Sequence, residues 1–336
     1  MSEIVEEKRR RVVVLGTGGT ISGRARTAGD NIGYTAGEVR VDELLHGIDA
    51  PPGVSLEAEQ VAQIDSKDMS HAIWRKLAQR CAHWLALADV AGVVITHGTD
   101  TLEETAFFLQ SVLAPAKPVV MTCDMRPATA LTPDGPQNLR DAVVVAATPG
   151  ARGVVAVCAG VVHSALDVQK VHTYRLDPFD SGDAGPVGYV EEGGVRIVRD
   201  WPSTAAVTPG LFDRVIGHEE WPRVEILVSH AEASGALIEA LLAERGRGGA
   251  VVVQGLVLAA TGNGTLHHSL EASALRAQAN GVAVLRATRC AQGHILARKH
   301  EAALRDAGGL TPVKARIALV LELLSGEPAA RRSDRG

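Results

Sequence analysis

The chain of 336 residues is 46 % hydrophobic, 22 % charged and 3 % aromatic, and its formal net charge is −5. This length predicts two domains, and the scarcity of aromatic residues predicts aliphatic cores. The acidic balance argues against a nucleic-acid partner held by phosphate neutralisation. An apolar run at 143–162 contains Pro149, Gly150 and Arg152, so we expect no membrane-spanning segment and no membrane partner.

Two further features favour a cytoplasmic protein without a metal site or a disulfide framework. Residues 1–11 are charged and lack the apolar core of a signal peptide, and we expect residues 1–10 to be loose. The cysteines show neither a Cys-x-x-Cys spacing nor a Cys/His ligand spacing, which predicts reduced, mostly buried thiols. They are Cys81, Cys123, Cys158 and Cys290.

Strands and helices are predicted to alternate along the first 200 residues. In chain order they are a strand at 12–15, a helix at 41–48, a strand at 54–64, a helix at 70–88, a strand at 91–96, a helix at 102–113, a strand at 118–122, a helix at 135–145, and strands at 153–159 and 161–163. This alternation predicts an α/β fold with a mostly parallel, doubly wound sheet.

A second, smaller α/β domain is predicted after a proline-rich stretch without clear periodicity. The predicted boundaries are 1–199 for the N-terminal catalytic domain, 200–222 for a linker and 223–336 for the C-terminal domain. In the C-terminal domain we expect strands at 224–229, 250–259 and 282–287 and helices at 235–244, 269–280 and 311–324. The tail at 326–336 is predicted to be disordered.

The first strand ends in a turn with the sequence Gly-Thr-Gly-Gly-Thr at 16–20. Ligands of open α/β sheets lie beyond the carboxyl ends of the strands, so this turn is placed for chemistry. A dinucleotide fingerprint would need a third glycine at position 21, which is Ile21. A structural turn and a threonine nucleophile both stay open at this point.

Residues 22–40 follow this turn as a glycine-rich stretch with few large apolar groups. Loops of this length next to a site are often lids, so we predict a mobile active-site loop here. The loop contains Tyr34, which is one of only three tyrosines in the chain. Tyr34 is either an exposed loop residue or a proton relay.

Three strand ends of the first domain carry hydroxyl and carboxyl groups that suit a small polar substrate. They are the Thr-Gly-Gly-Thr turn at 17–20, Asp-Ser-Lys-Asp at 65–68 and His-Gly-Thr-Asp-Thr at 97–101. A threonine hydroxyl needs a base, and Lys170, in a segment predicted as loop or helix start, is a candidate. Asp100 could hold a cation of the substrate or the Lys170 ammonium, or it could form a helix-capping box with Glu103.

These motifs resemble the bacterial-type L-asparaginase (asparaginase–glutaminase) family. The residues that carry the resemblance are TGGTISG at 17–23, ITHGTDTLEETAFFL at 95–109, MRPATALTPDGPQNL at 125–139, the Lys170 segment, PVGY at 186–189 and ATGNGTL at 260–266. The resemblance runs from residue 12 to about 324. It implies a flavodoxin-like larger sheet, hydrolysis of L-asparagine to L-aspartate and ammonia through a threonine acyl-enzyme, no metal or organic cofactor, and a homotetramer.

The resemblance also implies roles for individual residues. Thr20 would attack the side-chain amide, and Tyr34 would close over the site and assist proton transfer. Thr99, Asp100 and Lys170 would form a second activating set, and the order in which the two threonines act stays open. The implied substrate-binding residues are Asp65, Ser66, Lys67, Gly98, Thr99 and Asp100, with Ser66 at the α-carboxylate, Asp100 at the α-ammonium and backbone N–H groups at the oxyanion.

The chain departs from the family pattern at several of these positions. Lys67 stands where family members carry glutamine or glutamate, and a cation there would repel the substrate ammonium unless it turned outward or paired with Asp65 or Asp68. Asp124 stands where a small residue is usual; its carboxylate could raise a nearby pKa or bind Lys67. We expect both to tune specificity. Candidates for completing a neighbouring subunit's site are Asn263, Thr265 and Glu301.

Two other functions remain open from the sequence. A related amidohydrolase could act on glutamine or another small amide. A non-catalytic amino-acid-binding module would need the pocket, but it would not need Thr20, Tyr34 and Lys170 together. A tRNA-dependent amidotransferase would need a further RNA-facing domain and a basic surface, and the sequence shows neither.

Overall fold

The computed structural model describes residues 10–27, 29–203, 207–246, 252–296 and 304–326. The chain forms two compact units that divide between Val207 and Thr208, within the predicted 200–222 segment. Part of that segment, Leu211–Gly217, is a helix of the second unit rather than linker. The predicted loose N-terminus, apart from Arg10, and the predicted C-terminal tail, apart from Gly326, lie outside the described residues.

The first unit alternates strands and helices through most of its length. Its elements in chain order are β1 (Arg10–Gly18), β2 (Arg24–Ala25), β3 (Tyr34–Thr35), α1 (Val41–Leu44), β4 (Val54–Ile64), α2 (His71–Leu85), β5 (Val90–Thr96), α3 (Leu102–Leu113), β6 (Val119–Thr122), α4 (Gly135–Ala147), β7 (Val154–Cys158), β8 (Val161–Ser164), β9 (Gln169–Lys170), β10 (Phe179–Asp180), β11 (Gly188–Glu191) and β12 (Gly194–Ile197). The predicted helix at 41–48 is therefore shorter than expected, and the predicted helix at 70–88 ends at Leu85.

Eight of these strands form one sheet in the order β12-β11-β8-β7-β6-β5-β1-β4. The strands from β4 to β7 pair in parallel, and β8, β11 and β12 pair antiparallel at one edge. The parallel part has the flavodoxin-like order 2-1-3-4-5, so the predicted fold class is confirmed. In this topology the strand order reverses between β1 and β5, and ligands bind at that point beyond the carboxyl ends of the strands.

The central strands are apolar because helices cover both of their faces. Val12–Leu15 of β1 are fully buried, and all seven residues of β5 are buried. On one face α4 packs against β5 and β6, and its start is marked by a proline in the first turn. This two-sided packing explains why the predicted and observed strand positions agree closely along the sheet.

The second unit contains a smaller parallel sheet. Its elements are α5 (Leu211–Gly217), β13 (Arg223–Val228), α6 (Ala236–Gly246), β14 (Val253–Ala260), α7 (His268–Ala279), β15 (Ala283–Thr288), β16 (Arg305–Asp306) and α8 (Pro312–Ser325). The strands pair in parallel in the order β13-β14-β15-β16. The predicted second α/β domain is therefore present. In the described part of both units, no helix is long and apolar enough to cross a membrane.

Candidate active site

The turns after β1, β4 and β5 lie against one another at the carboxyl edge of the large sheet. The Gly19 amide donates to the Ile64 carbonyl at 2.8 Å. A β-carbon on Gly19, whose φ is +83°, would overlap the backbone of Gly98. A β-carbon on Gly98 would lie 2.5 Å from the Ser66 hydroxyl oxygen. Glycine at these two positions therefore lets the three predicted motifs meet at one point.

Thr20 and Tyr34 form a hydroxyl pair at this point. Their side-chain oxygens are 2.7 Å apart, and Thr20 is buried. Tyr34 reaches Thr20 because β2 and β3 form a short antiparallel hairpin, and the Gly37 amide donates to the Gly19 carbonyl at 3.2 Å. The predicted 22–40 loop thus carries a hairpin over the threonine, while its mobility stays a prediction.

Lys170, Thr99 and Asp100 form a second group of contacting side chains. The Lys170 ammonium lies 2.8 Å from the Thr99 hydroxyl oxygen and 2.6 Å from an Asp100 carboxylate oxygen. The prediction of a loop or helix start at Lys170 is wrong, because Gln169–Lys170 is a short strand that pairs with Phe179–Asp180. That pairing fixes Lys170 beside residues about 70 positions earlier in the chain.

Asp100 does not cap helix α3. The N-cap residue is Thr101, which makes no side-chain capping bond. Its hydroxyl instead donates to the Ser66 carbonyl at 2.7 Å and ties two of the three turns together. The capping-box interpretation of Asp100 is therefore wrong. Its carboxylate pairs with Lys170, and that pairing is one of the two functional roles considered for it.

Burial and three acidic residues affect the pKa of Tyr34. Burial is the main reason why the pKa of Tyr34 is raised above its ordinary value, and the charges of Asp65, Asp124 and Asp100 raise it further. The hydrogen bond with Thr20 acts in the opposite direction. Tyr34 is therefore a neutral phenol at ordinary pH, and it can accept a proton only while it passes its own proton on.

Lys67 pairs with its acidic neighbours. Its ammonium lies 2.5 Å from Asp65 and 3.7 Å from Asp68, and the side chain is mostly exposed. The hydrogen bond to Asp65 is the main reason why the pKa of Lys67 is raised. Asp65 also accepts from the Lys67 amide at the start of the 3₁₀ turn 66–68. This pairing is one of the two arrangements expected to relieve repulsion between Lys67 and a substrate ammonium.

Asp124 is buried, and the ion-pair partners of Lys67 are Asp65 and Asp68. Asp124 is 1 % exposed, and its Oδ1 atom is buried without a hydrogen-bond partner among the described residues. Burial raises the pKa of this carboxyl well above its ordinary value, and Asp134 adds to the effect. The expectation that Asp124 perturbs a nearby pKa agrees with its contribution to the raised pKa of Tyr34.

The sequence pattern did not reveal the role of His97 in the site. Trp74 Nε1 donates to the Thr105 hydroxyl at 2.9 Å, and that hydroxyl lies 2.9 Å from His97 Nε2. His97 Nδ1 lies 2.7 Å from the Gly98 carbonyl oxygen. Because a carbonyl only accepts, we assign the proton to Nδ1, and Thr105 donates to Nε2. The only available signal was a histidine directly after a buried strand.

Replacing His97 with asparagine should make the protein less sensitive to acid. Burial lowers the pKa of His97 from 6.5 to about 4. Between these values the unfolded chain binds the extra proton and the folded chain does not, so stability falls as the pH is lowered. From pH 7 to pH 4, His97 should account for a loss of about 3 kcal/mol. Urea unfolding at both pH values measures the difference; surface His46→Asn is the control, and equal acid losses in wild type and His97→Asn would contradict the assignment.

Two of the three candidates for a neighbouring subunit's site lie in the second unit, and the third is not described. Thr265 is 2.8 Å from Thr261 between hydroxyl oxygens, within the turn after β14. The Asn263 side-chain oxygen accepts from the Leu296 amide at 2.7 Å. Glu301 lies outside the described residues. Across the described ranges, no group of three or more His, Cys, Asp or Glu side chains could hold a metal ion.

The flavodoxin-like sheet brings two threonine hydroxyls, a lysine and an aspartate together at its switch point, which is the arrangement of an enzyme active site. Residues 11–203 match the family model described as "Asparaginase, N-terminal", and residues 223–333 match "Glutaminase/Asparaginase C-terminal domain". The chain therefore belongs to the asparaginase family, and the predicted family and enzyme class are confirmed.

Individual relatives resemble the chain over nearly its whole length. L-asparaginase 2 of Escherichia coli is 37 % identical over 93 % of this chain and 88 % of its own. L-asparaginase 2 of Bacillus subtilis is 36 % identical over 92 % of this chain and 81 % of its own. The crystal structure of a probable cytoplasmic L-asparaginase from Campylobacter jejuni is 33 % identical with a TM-score of 0.83, covering 94 % of this chain and 95 % of that one.

Proposed function

We propose that this protein is an L-asparagine amidohydrolase that converts L-asparagine and water to L-aspartate and ammonia through an ester on Thr20. The observation that carries the proposal is the 2.7 Å contact between the Thr20 and Tyr34 hydroxyls. It lies at the same sheet edge as the Lys170–Thr99–Asp100 group. The names of the most similar relatives support the choice of substrate.

The substrate's α-carboxylate and α-ammonium would each bind a side chain on one of the turns. The Ser66 hydroxyl faces the Gly98 turn and would donate to the carboxylate. Asp100 uses Oδ1 for Lys170, and no described residue donates to its Oδ2, which would accept from the ammonium. These two contacts would hold the side-chain amide between Thr20 and Thr99. Asp65 would lie on the same side as the ammonium, and its ion pair with Lys67 offsets its negative charge.

In the first half-reaction the Thr20 oxygen would attack the amide carbon. Its proton would pass to Tyr34 while the Tyr34 proton moves to the departing amide nitrogen, because the phenol is neutral at the outset. Backbone N–H groups of the 97–101 turn would stabilise the oxyanion. The C–N bond then breaks, ammonia leaves, and the acyl group remains on Thr20 as an ester.

In the second half-reaction water would cleave the ester and restore the Thr20 hydroxyl. Thr99, held between the substrate amide position and Lys170, would orient the attacking water, and Asp100 would hold the Lys170 ammonium in place. No step requires a metal or an organic cofactor. Both threonines are thus used, Thr20 as the nucleophile and Thr99 as the residue that orients the attacking group.

The setting of the enzyme is proposed by similarity. The relative of known structure from Campylobacter jejuni is called cytoplasmic, and we propose the same compartment here. We also propose a homotetramer in which Asn263, Thr265 and Glu301 complete a site on a neighbouring subunit. Light scattering on the purified protein tests the assembly, and a monomer would contradict it.

Glutamine is the second candidate substrate. The C-terminal family description names glutaminases together with asparaginases. Glutamine carries the same α-carboxylate and α-ammonium, so the contacts proposed for Ser66 and Asp100 would serve both amides. The length of the side chain would then decide which amide reaches Thr20.

Replacing Lys67 with glutamine should lower the KM for L-asparagine by about fivefold with little change in kcat. The substitution removes a cation near the proposed ammonium position and frees the Asp65 carboxylate. Succinamic acid, which lacks the α-ammonium, should show no change. Lys76→Gln is a matched control because its ammonium bonds the Val61 carbonyl instead. An equal change in KM for L-asparagine and for succinamic acid would contradict this role of Lys67.

Ammonia release by the purified protein tests the proposed function. L-asparagine, L-glutamine and D-asparagine are assayed side by side under the same conditions. Release mainly from L-asparagine supports the proposal, and release mainly from L-glutamine supports the second candidate. No release from any of the three would contradict both and would leave the binding module as the remaining interpretation.

A further inference from the structure

Asp124 is a buried carboxyl group that the proposed reaction does not use. It follows the end of β6 and is 1 % exposed. Its Oδ1 atom is buried and accepts no hydrogen bond from the described residues. An acid in such surroundings is stable only when it is uncharged, because an unpaired carboxylate in the interior is strongly unfavourable.

The Asp124 carboxyl packs beneath the Thr20 turn. A β-carbon placed on Gly135 would lie 3.0 Å from Asp124 Oδ2 and 3.0 Å from the Ile21 side chain. The carboxyl group, Ile21 and the first residue of α4 therefore converge on one small volume. Ile21 directly follows Thr20 in the 3₁₀ turn Thr20–Ser22. A movement or a charge at Asp124 would thus reach the nucleophile through one residue.

Two titratable neighbours, Asp134 and Cys158, oppose the ionisation of Asp124. Asp134, before α4, uses its carboxylate to accept from the Met125 and Arg126 amides and from Asn138. Asp134 raises the pKa of Asp124, as does Cys158 at the end of β7. A charge on Asp124 also raises the pKa of Tyr34, which lies on the β2–β3 hairpin.

We propose that Asp124 is a positioning residue for Thr20 that works only as the uncharged acid. The neutral carboxyl packs beside Gly135, next to the Ile21 side chain, and keeps the Thr20 turn in place. When the carboxyl loses its proton, the buried charge is neither hydrated nor paired. The surrounding structure must then move to solvate it, which disturbs the packing around Ile21. The same charge makes it harder for Tyr34 to release its proton. Activity then falls on the alkaline side.

The pH profile of Asp124→Asn tests this inference, which rests on the proposed function for its activity readout. Asparagine keeps the size of the side chain and cannot ionise. In the wild type, kcat/KM should fall about tenfold per pH unit above the ionisation of Asp124. In Asp124→Asn this fall should be absent. Asp141→Asn is the matched control, since Asp141 is another acid whose pKa burial raises, but it lies on α4 and bonds Gln137.

Thermal unfolding gives a second readout that needs no substrate. With the folded pKa of Asp124 raised above its ordinary 3.8, the unfolded chain binds fewer protons than the folded chain above that pH. The contribution of Asp124 to wild-type stability should therefore fall as the pH rises above 4, and the Tm of Asp124→Asn relative to that of the wild type should rise with pH. If kcat/KM fell in the same way at alkaline pH in the wild type and in Asp124→Asn, the inference would be overturned. A Tm difference that is independent of pH would also overturn it. Failure of the proposed function would appear separately, as absence of ammonia release from the wild type.

Discussion

Replacing Thr20 with alanine should lower kcat for ammonia release from L-asparagine by at least about 10³-fold. The substitution removes the oxygen that lies 2.7 Å from Tyr34 and that we propose as the nucleophile. It leaves the surrounding turn intact, because the Gly19 amide still bonds the Ile64 carbonyl. Thr20→Ser, which keeps a hydroxyl, should recover much of the lost activity. Initial rates at saturating substrate measure the effect.

Thr17 provides the matched control for this substitution. It stands in the same turn and is also buried, but its hydroxyl donates to the Thr96 carbonyl at 2.8 Å. Thr17→Ala should therefore cost about 1 kcal/mol of stability, the value of one such hydrogen bond, and retain most of the turnover. If Thr20→Ala kept wild-type turnover, Thr20 would not be the nucleophile.

Replacing Lys170 with methionine should lower kcat by about 10²-fold, because Thr99 would lose the ammonium that holds it in position to orient the attacking water. The change removes the ammonium that joins Thr99 to Asp100 and keeps most of the side-chain volume. Asp100 is then left without its cation, so its carboxylate is free to bind the substrate ammonium more strongly. We therefore expect KM to stay the same or fall while kcat drops.

Lys117→Met is the matched control for Lys170. The Lys117 ammonium donates to the Leu87 carbonyl at 2.6 Å. It lies between α3 and β6 in the chain, outside the three turns that form the site. This variant should keep wild-type kinetics. Unchanged turnover in Lys170→Met, with Lys117→Met also unchanged, would exclude Lys170 from the reaction.

Local patterns were sufficient to predict most of the fold. The strand Val54–Ile64 and the helix Leu102–Leu113 occur where the spacing of apolar residues placed them. The strand lies in the sheet and the helix packs against the sheet, and burial of one side of each element imposes a regular spacing of apolar residues. The Lys170 segment lacked such a signal. Its two-residue strand exists only because Phe179–Asp180 pairs with it.

The contacts within the site were harder to predict from the sequence, because they join residues that are distant along the chain. Asp100 has a local explanation as a capping residue, yet it pairs with Lys170, 70 positions away. The His97–Thr105–Trp74 chain crosses two helices and a strand end. The burial of Asp124 depends on how α4 packs below the Thr20 turn. No single stretch of sequence carries a period that would reveal these arrangements.

The most direct measurement is identification of the covalent intermediate. The enzyme is mixed with L-asparagine and quenched in acid, and its peptides are analysed by mass spectrometry, with Thr20→Ala treated in parallel. We expect an aspartyl ester on the peptide that contains Thr20, and we expect Thr20→Ala to lose both this ester and ammonia release. An ester on Thr99, or ammonia release that persists in Thr20→Ala, would contradict this expectation.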